Sequence, residues 1–206
     1  MKRVWFAILV VLFCLGAHAQ QADLQIAITD NHVTVSHLTA GATAVLWSVA
    51  QVGDGYTVSA RLSSVLLPDT DSDGSVGYDA PAPMPRRSIW VAVDLTNGAH
   101  AVATPSGYAT SAPNRPPLLR KHGTAVDGLA SPSNMGVALY VSPGGGAWSG
   151  TITNGGELLL SDLKNVGGNA PPPAAFAAGD ALFVIDTYDM STYAATLTAG
   201  MLAEAN

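Results

Sequence analysis

Cysteine is nearly absent from this chain of 206 residues: Cys14 is the only one. It falls in a stretch that reads as a leader, so the remainder has no thiol for a disulfide framework, a thiolate metal site or a cysteine nucleophile. Charge is scarce as well, at 12% of residues, and basic charge is scarcest, with nine Lys and Arg against 15 acids. Arg86-Arg87 and Arg120-Lys121 are isolated pairs rather than a patch, which disfavours nucleic acid and anionic lipid as partners. Long helical periodicity is missing. So are a phosphate loop, a dinucleotide fingerprint and a carboxylate pair of recognisable glycosidase context. Gly146-Ala147-Trp148-Ser149-Gly150 is not a nucleophile elbow, because the serine stands next to the last glycine and no helix comes after it. The five histidines form no metal set, and no catalytic residue is assigned.

The start of the chain has a charged, then an apolar, then a small-residue segment. Lys2 and Arg3 precede the apolar run Val4–Leu15, and Ala17-His18-Ala19 is a small-x-small cleavage site. Residues 1–19 are expected to be a signal peptide, cut before Gln20, which implies a secreted or periplasmic protein without stable membrane insertion. Cleavage removes two basic residues and leaves seven against 15 acids, a net charge of −8. About 185 residues without disulfides must then rely on a hydrophobic core, and a chain of that length can bury one.

Beyond the leader, the sequence has the period of strands. Leu24, Ile26 and Ile28 alternate with polar or small residues, as do Val33 and Val35 after a turn at Asp30-Asn31. Thr43–Val49 reads as a buried strand carrying Trp47. Ser88–Leu95 is the most hydrophobic run outside the leader, and it returns as Ala99–Thr104 after Thr96-Asn97-Gly98. Asn-Gly between two β-rich runs predicts a hairpin with a type I′ turn. In the second half, Val137–Ser142, Trp148–Thr153, Ala181–Thr187 and Thr192–Thr198 read as strands. The fold class is therefore all-β.

Residues 106–117 are rich in Pro and Gly and are the best linker, separating 20–105 from 118–206. The two halves align without gaps at an offset of 93, which sets Trp47 on Tyr140 and Trp90 on Phe183. Two tandem sandwich domains are expected; one larger single β-sandwich is the alternative. An aromatic-bearing early strand (Leu46-Trp47), an acid-rich turn and a late Trp-bearing hairpin resemble bacterial secreted immunoglobulin-like or fibronectin-type repeats, without the Cys…Trp…Cys spacing of true immunoglobulin domains. The resemblance implies adhesion, spacing or carbohydrate-binding roles and no catalytic residues. The partner would be an envelope protein or a glycan. Trp148, between Gly-rich turns, is the tryptophan expected to be exposed as a sugar platform, with Tyr78, Tyr108, Tyr188 and Tyr193 near turns.

One stretch carries metal chemistry. In Asp69-x-Asp71-x-Asp73-Gly74, carboxylates at alternate positions can converge on a hard cation, and the glycine permits the bend. The stretch resembles part of a dockerin or EF-hand calcium loop. That resemblance implies Asp69, Asp71 and Asp73 as side-chain ligands and the backbone carbonyl of Ser75 as another. Asp79 falls one residue before the closing position, which Ala80 occupies. One weak Ca²⁺ site is the reading; a solvated acidic turn explains the same residues.

Overall fold

The computed structural model describes residues 23–52, 59–80, 87–105, 120–122, 125–127, 136–152, 158–187 and 190–203. The leader 1–19, the linker 106–117, Tyr108 and Tyr188 lie outside the described residues. Seven strands make up the first half: β1 (Gln25–Thr29), β2 (His32–Ser36), β3 (Thr43–Val52), β4 (Ser59–Pro68), β5 (Ser75–Asp79), β6 (Ser88–Asp94) and β7 (His100–Ala103). The second half contributes β8 (Arg120–His122), β9 (Ala125–Asp127), β10 (Gly136–Ser142), β11 (Gly146–Thr151), β12 (Leu158–Leu159), β13 (Lys164–Asn165), β14 (Ala181–Asp186) and β15 (Thr192–Thr196). A 3₁₀ turn at Leu160–Asp162 is the single helical element among the described residues. The chain is all-β and has the layered sheets of a β-sandwich.

The strands form four antiparallel sheets. Two are three-stranded, in the orders β1-β2-β5 and β12-β9-β8. The larger two run β4-β3-β6-β7 and β13-β11-β10-β14-β15. Three cores separate these sheets. In the first half, Val33, Val35 and Val76 pack with Leu46, Trp90 and Ala92. In the second, Tyr140, Trp148, Leu158, Phe176 and Leu182 pack together. The third lies between the two larger sheets: Val45, Trp47, Val49, Ile89, Val91 and Val93 meet Val137, Leu139, Val141, Phe183 and Ile185. Consequently β6 is buried at every position. Its unbroken apolar run reflects a core on each face, whereas β2, with one face buried, keeps the alternation of Val33 and Val35.

The halves do repeat, but at an offset of 92 rather than 93. Ala44 pairs with Asp94 and Gly136 with Asp186, 92 residues on at both positions. Trp90 pairs with Ala103 and Leu182 with Ala195, again displaced by 92. The hairpin loops agree: Asp94 N–H donates to Ala99 O at 2.8 Å and Asp186 N–H to Ser191 O at 2.9 Å. An offset of 93 sets Trp47, in the core between the halves, on Tyr140, in the second half's own core. A slip of one residue in a strand sends every side chain to the other face, so the two offsets cannot both hold. At 92, Trp47 corresponds to Leu139, and both face the shared core.

The β6–β7 hairpin forms where expected, with a different turn. Its loop spans residues 95–98, and Gly98 N–H donates back to Asp94 O at 2.8 Å. Only Gly98 of the Asn-Gly pair has positive φ, at 77°. A type I′ turn needs it at both. The Asp94 carboxylate explains the difference, since Asp94 Oδ1 accepts from Thr96 N–H at 2.7 Å and Oδ2 from Thr39 N–H at 2.8 Å. These bonds draw the loop onto residues 39–42 and lengthen it beyond two residues.

The second half's core contains a buried ionisable pair. Tyr140 donates its hydroxyl to Asp180 Oδ2, which also accepts Ala177 N–H at 3.2 Å. Burial, and then the bond to Asp180 and its charge, push the Tyr140 phenol well above its ordinary range. The protonated form is favoured by the fold, so this stability is fully present below about pH 10 and is lost as pH rises towards the folded value. Urea unfolding monitored from pH 7 to 11 should lose stability at the alkaline end. Tyr140→Phe should flatten that limb while costing about 1–3 kcal/mol at pH 7, because the buried Asp180 loses a donor.

Candidate metal centre

Strand β4 ends at Pro68, and the chain must turn before β5 can pair with β2. The turn is built on Asp69. Its N–H donates to Ala42 O at 2.9 Å, and its Oδ2 accepts from Gly41 N–H and from Gly74 N–H, both at 3.0 Å. Positive φ at Ser72 (61°) and Gly74 (76°) closes the loop. At Gly74 a Cβ would also stand 3.1 Å from Leu38 O, so the position needs glycine on two counts. Asp71 Oδ1 receives Asp73 N–H at 3.5 Å and Asp73 Oδ1 receives Ser75 N–H at 2.7 Å.

The result brings together Asp69, Asp71 and Asp73. One carboxylate oxygen from each lies within 4.8 Å of the others. Asp71 and Asp73 are exposed, but Asp69 retains only 4% of its surface. Its Oδ1 is fully buried and has no hydrogen-bond partner among the described residues. Burial pushes the Asp69 carboxyl up, but the Gly41 and Gly74 N–H groups, together with the Asp71 side chain and the Asp73 backbone, outweigh it and hold the group below its ordinary value. Asp69 is thus kept as a carboxylate with one oxygen satisfied and the other unmatched. Oxygens of this hardness suit Ca²⁺ or Mg²⁺ rather than a soft transition metal.

The other two expected ligands lie at opposite ends of β5, Ser75 beside this cluster and Asp79 away from it. Ser75 opens β5 opposite Ser36, directly after the loop. Asp79 closes the same strand opposite His32. Four residues of extended chain carry it about 13 Å from Ser75. Its Oδ1 lies 2.6 Å from His32 Nδ1 instead, so Asp79 is corrected from cation ligand to surface partner of a histidine. Counting positions along the chain missed this because a strand, unlike a loop, cannot fold its far end back.

Trp148 also needs correction. It is 4% exposed, in the second half's core, and its Nε1–H donates to Ala170 O at 3.2 Å. Of the turn tyrosines within the described residues, Tyr78 and Tyr193 are half-buried. The tyrosine–aspartate pair Tyr140–Asp180 and the buried Asp94 carried no sequence signal, because each is completed by residues distant along the chain.

A carboxyl held low in the fold gives stability that is present above about pH 4 and lost as pH falls through the lowered value. Urea midpoints measured in chelator between pH 6 and pH 2 should therefore fall more steeply for the wild type than for Asp69→Asn. Equal slopes would show that Asp69 carries none of the acid sensitivity.

Compared with known proteins, the chain matches no family model, no curated protein and no solved structure.

Proposed function

We propose that this protein is a non-catalytic, exported interaction or structural module of the cell envelope, built of two tandem immunoglobulin-like sandwiches, with one Ca²⁺ held by Asp69, Asp71 and Asp73. The unmatched buried Oδ1 of Asp69, beside two converging carboxylates, is the observation that carries the metal. A buried carboxylate oxygen without a partner costs free energy, and a cation supplies the missing interaction while relieving repulsion among three like charges. Ser75 extends the set through its carbonyl, and water completes it.

Support for the sandwich reading comes from the repeated arrangement: one three-stranded and one larger sheet in each half, in corresponding order. Export rests on the charged, apolar and small-residue pattern of residues 1–19. The glycan-binding alternative rested on Trp148 and the turn tyrosines; Trp148 is buried, and Tyr78 and Tyr193 are half-buried. An envelope protein is the partner this reading favours.

Affinity should be weak, about 10⁻⁴ to 10⁻³ M as in extracellular modules, because Ala80 and the distant Asp79 leave the loop without a closing carboxylate. At a hundredfold excess over its dissociation constant, a ligand of the folded form adds about 2.7 kcal/mol of stability. Millimolar calcium should raise the thermal midpoint of residues 20–206 relative to chelator, and magnesium should raise it less. Asp71→Asn should lose most of the shift. A wild-type midpoint indifferent to calcium would reduce the loop to an acidic turn.

A further inference from the structure

The two halves differ at one sheet edge. In the second half, the outer edge of β11 is covered by β13, which pairs Trp148 with Asn165 and Ser149 with Lys164. In the first half, β4 stands at the corresponding end of the order β4-β3-β6-β7, and no strand lies beyond it among the described residues. The cause is the length of the connection. β13 is supplied by the 21 residues 160–180 between β12 and β14, while only the eight residues 80–87 join β5 to β6.

An edge left in this state normally carries protection: a short strand, a bulge, several charges or an internal proline. β4 has little of it. It runs for ten residues and matches β3 without interruption from Thr43 opposite Pro68 to Val52 opposite Ser59. Arg61 is its one charge, and its one proline ends it. Residues 61–64 are all exposed, and Leu62 is 42% exposed. Beyond them, Leu66 packs with the core between the halves and lies close to Gly167.

We infer that the β4 edge is a self-association surface, and that its occupant is β4 of a second copy, paired antiparallel about a twofold axis. Two identical edges can pair only antiparallel about an axis normal to the sheet, and such an interface is isologous. That axis keeps each face of the sheet on its own side, so opposed residues must share parity. Setting Leu62 against the partner's Leu62 satisfies this condition and joins the exposed apolar side chain to its own mate. Arg61 then stands opposite the partner's Ser63, so the one charge of each strand avoids its equivalent. A strand pair of this length covers less surface than a standard stable interface, which makes the dimer reversible and concentration-dependent.

The test uses residues 20–206, which contain no cysteine. Sedimentation velocity across a hundredfold concentration range should show a monomer–dimer equilibrium. Leu62→Lys, which sets two like charges face to face, should weaken it by about tenfold or abolish it. Leu62→Cys under mild oxidation should give a covalent dimer, while Thr70→Cys, at an exposed site outside the edge, should not. All three variants alter exposed side chains, and an unchanged thermal midpoint verifies that they fold. A chain that stays monomeric at every concentration would overturn the inference. So would a dimer indifferent to Leu62→Lys, or β4 amides protected from hydrogen exchange equally at all concentrations, which would mean that the chain covers this edge itself.

Discussion

Everything in this structure depends on the contact between two apolar sheet faces, one from each half. Trp47, Val91 and Val93 on one side and Leu139, Phe183 and Ile185 on the other are wholly buried there. Because the outer face of each larger sheet also covers a core, the central strands β3, β6, β10 and β14 have no solvent side. That requirement explains a chain 48% hydrophobic and 12% charged. It also explains a cost: Trp47 Nε1–H is buried in this contact without a partner among the described residues. Such a group costs about 1–3 kcal/mol, which the packing of a large aromatic side chain offsets.

The candidate metal loop is wired into this arrangement through the backbone. Asp69 holds Gly41, and Ala42 N–H donates to Thr39 O. Thr39 N–H in turn is held by Asp94, at the end of the fully buried β6. One residue further on, Leu95 O accepts Gly144 N–H of the second half at 2.7 Å. The acidic loop, through residues 39–42, and the β10–β11 turn directly are therefore both tied to the same hairpin. A cation at Asp69 would sit on the framework that positions the halves.

The legibility of each strand in the sequence depends on how many of its faces are buried. β2 was legible as an alternating strand, and β6 as a continuous apolar run with a hairpin after it. The repeat was legible in kind but misplaced by one residue. Alternation is what ordinarily fixes register, and strands buried on both faces have none, so Trp47 aligned as readily with Tyr140 as with Leu139. Trp148 misled for a related reason. Its flanking glycines suggested a flexible exposed turn, but a Cβ at Gly146 would stand 3.2 Å from the Trp148 ring and one at Gly150 would stand 2.9 Å from Leu163. Those glycines make room for packing. In the acidic loop the spacing did anticipate that Asp69, Asp71 and Asp73 converge, since that convergence is local. The burial of Asp69 was hidden, because it depends on Gly41, 28 positions away.

A shared third core should make the two halves one cooperative body. Differential scanning calorimetry of residues 20–206, beside Phe183→Ala, tests this most directly. Phe183 lies in that core, with its ring edge-on to His100 of the first half at 4.9 Å, and its truncation should cost about 3–5 kcal/mol. One transition is expected in the wild type, displaced as a whole to lower temperature in the variant. Two separate transitions, of which Phe183→Ala moves only one, would contradict a single cooperative body.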